Sequence, residues 1–195
     1  DDINSDNDFD AVADQTVSVT TTDDDVAGFT IAETDSSTSV SESGTTDTFT
    51  VVLDAEPASD VVLTITSSDT GEATVTSTLT FTSANWDTAQ TVTVTGADDG
   101  LVDGTITSTV TVSVNDVSSD NNFDSVADQT VSVTTTDDDV AGFTIAESSG
   151  STSVDESGTT DTFTVVLDAQ PTSDVVLSIS SADTGEATVT SSLTF

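Results

Sequence analysis

The chain has 195 residues, of which 37 are Asp or Glu and none is Lys, Arg or His, so its formal charge is −37 at pH 7. That balance excludes nucleic acid as a direct partner and attraction to an anionic membrane surface, because both depend on Lys and Arg. Cys is also absent, which removes disulfides and thiolate metal sites. With Lys, His and Tyr missing too, the usual nucleophile-activating bases and most transition-metal ligands are gone. What remains is oxygen chemistry, with no expectation of an enzyme. No apolar run approaches the roughly 18 residues of a membrane helix, so no direct membrane insertion is expected. The chain opens on DDINSD, without a leader or an initiator Met, and reads as an internal piece of something longer.

Self-comparison organises the rest. NDFDAVADQTVSVTTTDDDVAGFTIAE, from Asn7, returns as NNFDSVADQTVSVTTTDDDVAGFTIAE, from Asn121, and Phe123 minus Phe9 sets a period of 114 residues. The match runs on through SESGTTDTFTVVLDAEPASDVVL and DESGTTDTFTVVLDAQPTSDVVL to the last residue. Such a period is too long for a solenoid turn and suits one independently folding domain. The natural boundary is DDD before VAGFTI. It divides the chain into the end of one domain (1–25), a whole domain (26–139) and the first half of another (140–195).

Within the whole repeat, period-2 alternation predicts about seven strands and no helix. The first runs from Phe29 to Val40. TFTVVLD then puts Phe49, Val51 and Leu53 on one face of a strand over 47–53, and VVLTIT does the same with Val61, Leu63 and Ile65 over 61–66. STLTFT follows with Leu79 and Phe81 (78–81), and TVTVTG with Val92 and Val94 (90–95). Val110, Val112 and Val114 mark the sixth strand (105–114), and Val131 and Val133 the seventh (129–136). Thr and Ser fill the opposite faces. Short β-branched strands separated by Gly, Asp, Asn and Ser clusters predict an all-β fold of tandem immunoglobulin-like antiparallel sandwiches. Trp86, in SANWDTA, reads as a core or loop plug.

In a Greek-key sandwich of this kind, the first turn, the loops after the third and fifth strands and the end of the seventh strand share one pole. The acids collect there: Glu42 in the first turn, Asp69 and Glu72 in SSDTGEA, Asp98, Asp99 and Asp103 in GADDGLVDG, and Asp137, Asp138 and Asp139 at the end. Carboxylates converging in this way repel strongly and call for a hard divalent cation. Calcium, which accepts six to eight oxygens in flexible geometry, fits better than magnesium or zinc. A DDD triplet alone reads equally well as a solvated linker, and its coincidence with DDGLVD and Glu42 favours the ion. At the opposite pole, Asp116, Asp120, Asp124 and Asp128 should approach Asp23, Asp24 and Asp25, either completing a site between domains or holding a separate ion. Asp120-x-Asn122-x-Asp124 echoes the start of an EF-hand loop but lacks its Gly and its closing Glu.

Glutamate in a short first turn (Val40-Ser41-Glu42-Ser43-Gly44), a paired Asp followed by a third acid (Asp98, Asp99, Asp103) and a terminal Asp triplet (137–139) resemble the Calx-beta domain. That repeated sandwich occurs in sodium–calcium exchangers and in large bacterial and archaeal surface proteins. The resemblance implies calcium ligation, with several ions per repeat, by Glu42, Asp98, Asp99, Asp103 and Asp137 to Asp139. Glu156 is the counterpart of Glu42 in the following copy. For the family's remaining loop ligand Asp69 and Glu72 compete, and Asp69 is taken.

The expected function is structural: a repeat of an extracellular stalk, fibre or adhesin, at the cell surface or in a secreted matrix, that calcium stiffens at domain ends and junctions. Its partners are then neighbouring repeats of the same chain, and like chains in a fibre. Weak multidentate calcium modules, with dissociation constants of roughly 10⁻⁴ to 10⁻³ M, fill outside cells and stay empty in the cytosol. The alternative is a module that binds a surface, carbohydrate or ice through its loops or its Thr-rich face.

Overall fold

The computed structural model describes residues 6–9 and 12–195, so part of the first acidic loop, including Asp1, Asp2 and Asp10, lies outside the described residues. The complete unit is two packed sheets. One has the order β1-β3-β7-β5, from Phe29–Glu33 (β1), Thr46–Leu53 (β3), Gln90–Gly96 (β7) and Ala73–Val75 (β5). The other has the order β2-β9-β8-β4-β6, from Thr38–Ser41 (β2), Gln129–Thr136 (β9), Ile106–Val114 (β8), Val61–Ser67 (β4) and Thr78–Phe81 (β6). No α-helix occurs among the described residues, only short 3₁₀ turns. None of these is long and apolar enough to cross a membrane.

The alternating positions form the core between the sheets. Phe49, Val51 and Leu53 of β3 and Val92 and Val94 of β7 meet Val61, Leu63 and Ile65 of β4, Val110 and Val112 of β8 and Val131 and Val133 of β9, all buried in one cluster. Each such side chain contributes about 1.5 to 3 kcal/mol on burial. Phe123, from the acidic loop after β8, is 2% exposed and closes the core at one end. Trp86 is half-buried against the same cluster, and its carbonyl accepts the Leu53 N–H at 3.1 Å, as a loop plug should.

Three features differ from the sequence expectation. The single strand over 29–40 is broken at Asp35 (φ 54°) and Ser36 (φ 66°), whose left-handed backbone re-aims the chain. As a result β1 pairs antiparallel with β3 in one sheet, while β2 pairs parallel with β9 in the other. The parallel pairing departs from an all-antiparallel sandwich. The third difference is β5, a three-residue strand on the edge of the first sheet, in a stretch read as loop; it is too short to alternate visibly.

After residue 139 the described strands are Phe143–Glu147 (β10), Phe163–Leu167 (β11), Val176–Ser178 (β12) and Ser192–Thr194 (β13). Phe143 faces Leu167 as Phe29 faces Leu53, so the second copy begins in the register of the first.

Candidate metal centre

The acidic pole is built around one turn. Glu42 follows β2 directly, and its N–H donates to the Thr136 carbonyl at 3.1 Å, tying the turn to the end of β9. Gly44 (φ 83°) takes the left-handed conformation that closes the turn onto the Ser41 carbonyl. Across it lies Gly96: a Cβ there would stand 2.0 Å from the Ser41 carbonyl oxygen, so only glycine lets β7 pass this close. The turn is thereby pressed inward, leaving Glu42 1% exposed.

Glu72 enters from the loop between β4 and β5. Its carbonyl accepts the Ala97 N–H at 2.9 Å, which sets the loop against the start of the 97–105 connection, and its residue is 6% exposed. Asp137 anchors the third side. One carboxylate oxygen accepts the N–H groups of Asp103 (3.1 Å) and Gly104 (2.8 Å), and the other accepts that of Asp139 (2.7 Å).

These elements place candidate ligand oxygens of Glu42, Asp137 and Asp139 within 4.8 Å of one another, and likewise those of Glu42, Glu72 and Asp103. Glu42 belongs to both groups. At that separation two full charges repel by about 3.5 kcal/mol at an effective dielectric near 20. Burial, then Asp137, Glu72, Asp99 and Asp103, pushes the Glu42 carboxyl up to about 7. Burial, followed by Asp103, also raises Glu72, and burial, followed by Asp137, raises Asp139. Asp137 is lowered instead by its backbone N–H donors, led by Gly104.

One oxygen each of Glu42, Glu72 and Asp139 is buried without a hydrogen-bond partner. Orphaned acceptors in a cation-free chain are the donor set that a hard, oxygen-seeking cation requires, so the residues present fit calcium. From this loop it is Glu72, and not Asp69, that joins a grouping of three ligand residues. Asp69 is exposed, and its carboxylate caps the Gly71 N–H at 3.0 Å. Asp98, Asp99 and Asp138 are exposed on the rim, with Asp99 accepting the Leu101 N–H at 2.7 Å. Glu156 is exposed in the corresponding turn of the second copy, where it shares a cavity with Glu186, the counterpart of Glu72.

The opposite pole differs from expectation. Asp120 is 6% exposed and spends its oxygens on the N–H groups of Ser59 (2.9 Å) and Asn122 (3.0 Å), which hold it below the usual carboxylate range. It clamps two loops together and, unlike Asp137, joins no grouping of three ligand residues among the described residues. Asp116 and Asp124 are exposed and join no grouping of three ligands among the described residues. Asp23 and Asp25 do approach this pole, sharing a cavity wall with Glu56, Asn122 and Phe123, but Asp23 uses one oxygen to cap the Asp25 N–H at 3.1 Å. Asp24 is exposed. Aspartate capping the amide two residues on recurs at Asp120, Asp23 and Asp137 alike.

No protein-family model and no curated protein sequence matches the chain. Among solved structures, the chain is similar to SSP-19, an MSP-domain protein like family member in Caenorhabditis elegans, with 18% identity and a TM-score of 0.34, covering 52% of this chain and 92% of that one. It is also similar to the E. coli chaperone DraB, with 8% identity and a TM-score of 0.42, covering 60% of this chain and 59% of that one. Domains 1-6 of the surface layer protein SbsC give 21% identity and a TM-score of 0.40, covering 84% of this chain and 20% of that one. At these TM-scores the likenesses carry no statement about the acidic pole.

Proposed function

We propose that the chain is part of an extracellular stalk, fibre or adhesin built of tandem immunoglobulin-like, Calx-beta-like sandwiches, and that calcium at the acidic pole of each repeat stiffens the array. The observation that carries this reading is the pair of buried glutamates, Glu42 and Glu72, whose unpartnered oxygens sit among Asp103, Asp137 and Asp139 in a protein with no cationic side chain. Glu42 and Glu72 with these three aspartates would hold the ion or ions. The cation supplies neutral charge balance and a crosslink between the first turn, the two loops and the end of β9. The reading is structural rather than catalytic, because every clustered acid is explained by ligation and no group of opposite charge sets one apart as a proton donor. An extracellular setting follows from the calcium concentrations that such sites need.

The alternative, recognition of a surface, carbohydrate or ice, draws on the Thr pairs that face solvent across strands, such as Thr107 with Thr134 and Thr50 with Thr91. It is less supported, since Trp86 is engaged with the core.

The test is a calcium titration that follows melting temperature and hydrodynamic size, with magnesium at equal ionic strength as control. For one site with a dissociation constant near 10⁻⁴ M, about 10 mM calcium stabilises by about 2.7 kcal/mol. A calcium-specific rise in melting temperature and extension is expected. An equal response to magnesium or to simple salt would reduce the acids to a solvated surface.

A further inference from the structure

We infer that Asp99–Gly100 is a self-modification site, where the Asp99 carboxyl closes on the Gly100 nitrogen and reopens as isoaspartate, and that the fold withholds the same reaction from Asp103–Gly104. The inference concerns the acidic loop after β7 and stands independently of the ion reading above.

Aspartate followed directly by glycine occurs only twice in the chain, both times in GADDGLVDG. Glycine has no Cβ, so its backbone nitrogen is open to approach from the preceding side chain. That nitrogen attacks Cγ of the aspartate carboxyl group. The new N–Cγ bond closes a succinimide ring, and the carboxyl hydroxyl leaves with the amide proton as water. Water then reopens the ring. Addition at Cγ restores aspartate, whereas addition at the former peptide carbonyl leaves the backbone running through Cβ and Cγ, with the α-carboxylate as its side group. The water lost in the first step is regained in the second, so mass and charge are unchanged.

The two sites are set for opposite outcomes. Asp99 is exposed, and its Oδ1 accepts the Leu101 N–H at 2.7 Å. The ring closed by that hydrogen bond contains the Gly100 nitrogen, so the carboxyl group is already folded over the peptide that attacks it. Gly100 is held by its carbonyl, which accepts the Gln170 N–H at 2.6 Å, while its own N–H has no acceptor among the described residues.

At Asp103 both reacting groups are occupied. Its carboxylate belongs to the group containing Glu42 and Glu72. The Gly104 N–H donates to Asp137 at 2.8 Å, and the Asp103 N–H donates to the same oxygen at 3.1 Å. A charge-assisted bond of this kind must break before the Gly104 nitrogen can turn on Cγ. Asp137 is therefore the guard of the second site, and nothing comparable guards the first. Isoaspartate at 99 lengthens the loop backbone by one carbon and shifts a carboxylate whose charge bears on Glu42.

The experiment incubates the 195-residue chain in heavy-oxygen water at neutral pH with a chelator. Each ring opening fixes one heavy oxygen, and electron-transfer fragmentation locates it and separates isoaspartate from aspartate. A parallel sample unfolded in guanidinium sets the duration, which runs until residues 99 and 103 are both labelled there. The folded chain should then carry label and isoaspartate at 99. Its label at 103 should fall about tenfold or more below that of the unfolded sample, the factor set by one hydrogen bond to a charged acceptor. Gly100→Ala, whose Cβ meets nothing nearer than the Gln170 Cβ at 3.8 Å, should suppress the reaction at 99. Asp99→Glu, which keeps the charge and requires a larger ring, should suppress it too. Asp137→Ala frees the Gly104 N–H and should bring label to 103; if that variant does not fold, the folded and unfolded parent decide the protection by themselves. Equal labelling of 99 and 103 in the folded parent, or residue 99 as silent as 103, would overturn the inference. A folded Asp137→Ala chain still unlabelled at 103 would remove Asp137 as the guard.

Discussion

Replacing Glu42 by Gln should make the calcium-free protein more stable at pH 8, although it removes a buried side chain's native chemistry. The folded carboxyl of Glu42 is pushed up to about 7 from the ordinary 4.5, chiefly by burial. The folded state therefore binds the Glu42 proton more tightly than the unfolded chain does. Above pH 7 the group is ionised in both states, and folding bears the whole cost of the buried charge; below pH 4.5 it is protonated in both and the cost is gone. The full shift corresponds to about 3.4 kcal/mol, which solvent and salt at an open pole reduce to about 1 to 3 kcal/mol. Gln keeps the shape, drops the charge and offers N–H donors to the surrounding carboxylates. For a domain of this size that is a rise of about 4 to 12 °C in melting temperature at pH 8. The gain should shrink towards zero as the pH falls from 7 to 4.5, and calcium should reverse the order, because the parent gains a ligand that the variant lacks. Thermal melts of both proteins at pH 8 and pH 4.5, in chelator and in calcium, measure all four quantities. A Gln variant less stable than the parent in chelator at pH 8, or an advantage undiminished at pH 4.5, would refute the reasoning.

Gly96→Ala drives a Cβ into the Ser41 carbonyl and displaces the turn that carries Glu42; urea melts should show a loss of about 1 to 3 kcal/mol, and calorimetry a weakened calcium response. Phe123→Ala opens a cavity at the other end of the core and should cost about 3 to 5 kcal/mol in urea melts, with the number of calcium ions taken up unchanged. Asp120→Asn removes an acceptor held below the usual carboxylate range by Asn122 and Ser59. The stability that Asp120 contributes is present above pH 3.8 and lost as the pH falls below it, so the variant should be less stable than the parent at pH 6, with the gap closing in melts taken down to pH 2.5.

The strands were legible because alternation in a half-buried strand is enforced by the core. Every apolar residue that the pattern placed inward on β3, β4, β6, β7 and β9 is buried, as are Val110 and Val112 of β8. The general location of the acidic pole was legible too, since it follows from the order of strands and turns. The choice between Asp69 and Glu72 was not. The two carboxylates differ in sequence only by three positions, and it is the Ala97 N–H bonded to the Glu72 carbonyl that turns one loop residue inward while Asp69 caps its own turn. Gly96 was a missed signal: a glycine ending a strand of β-branched residues marks a close approach, here by the turn of Glu42.

By itself, then, the sequence determined the all-β pattern, the 114-residue periodicity, the absence of any internal counter-charge and the accumulation of acids in particular loops, all of them properties of residue type and spacing. Only the tertiary structure decided which acids are buried and lack a partner, which are spent on backbone amides as Asp120 is, and where the Gly100 carbonyl meets Gln170. Those outcomes depend on how distant segments pack, and carboxylates alike in chemistry are told apart only by the water and the N–H groups that the fold leaves them.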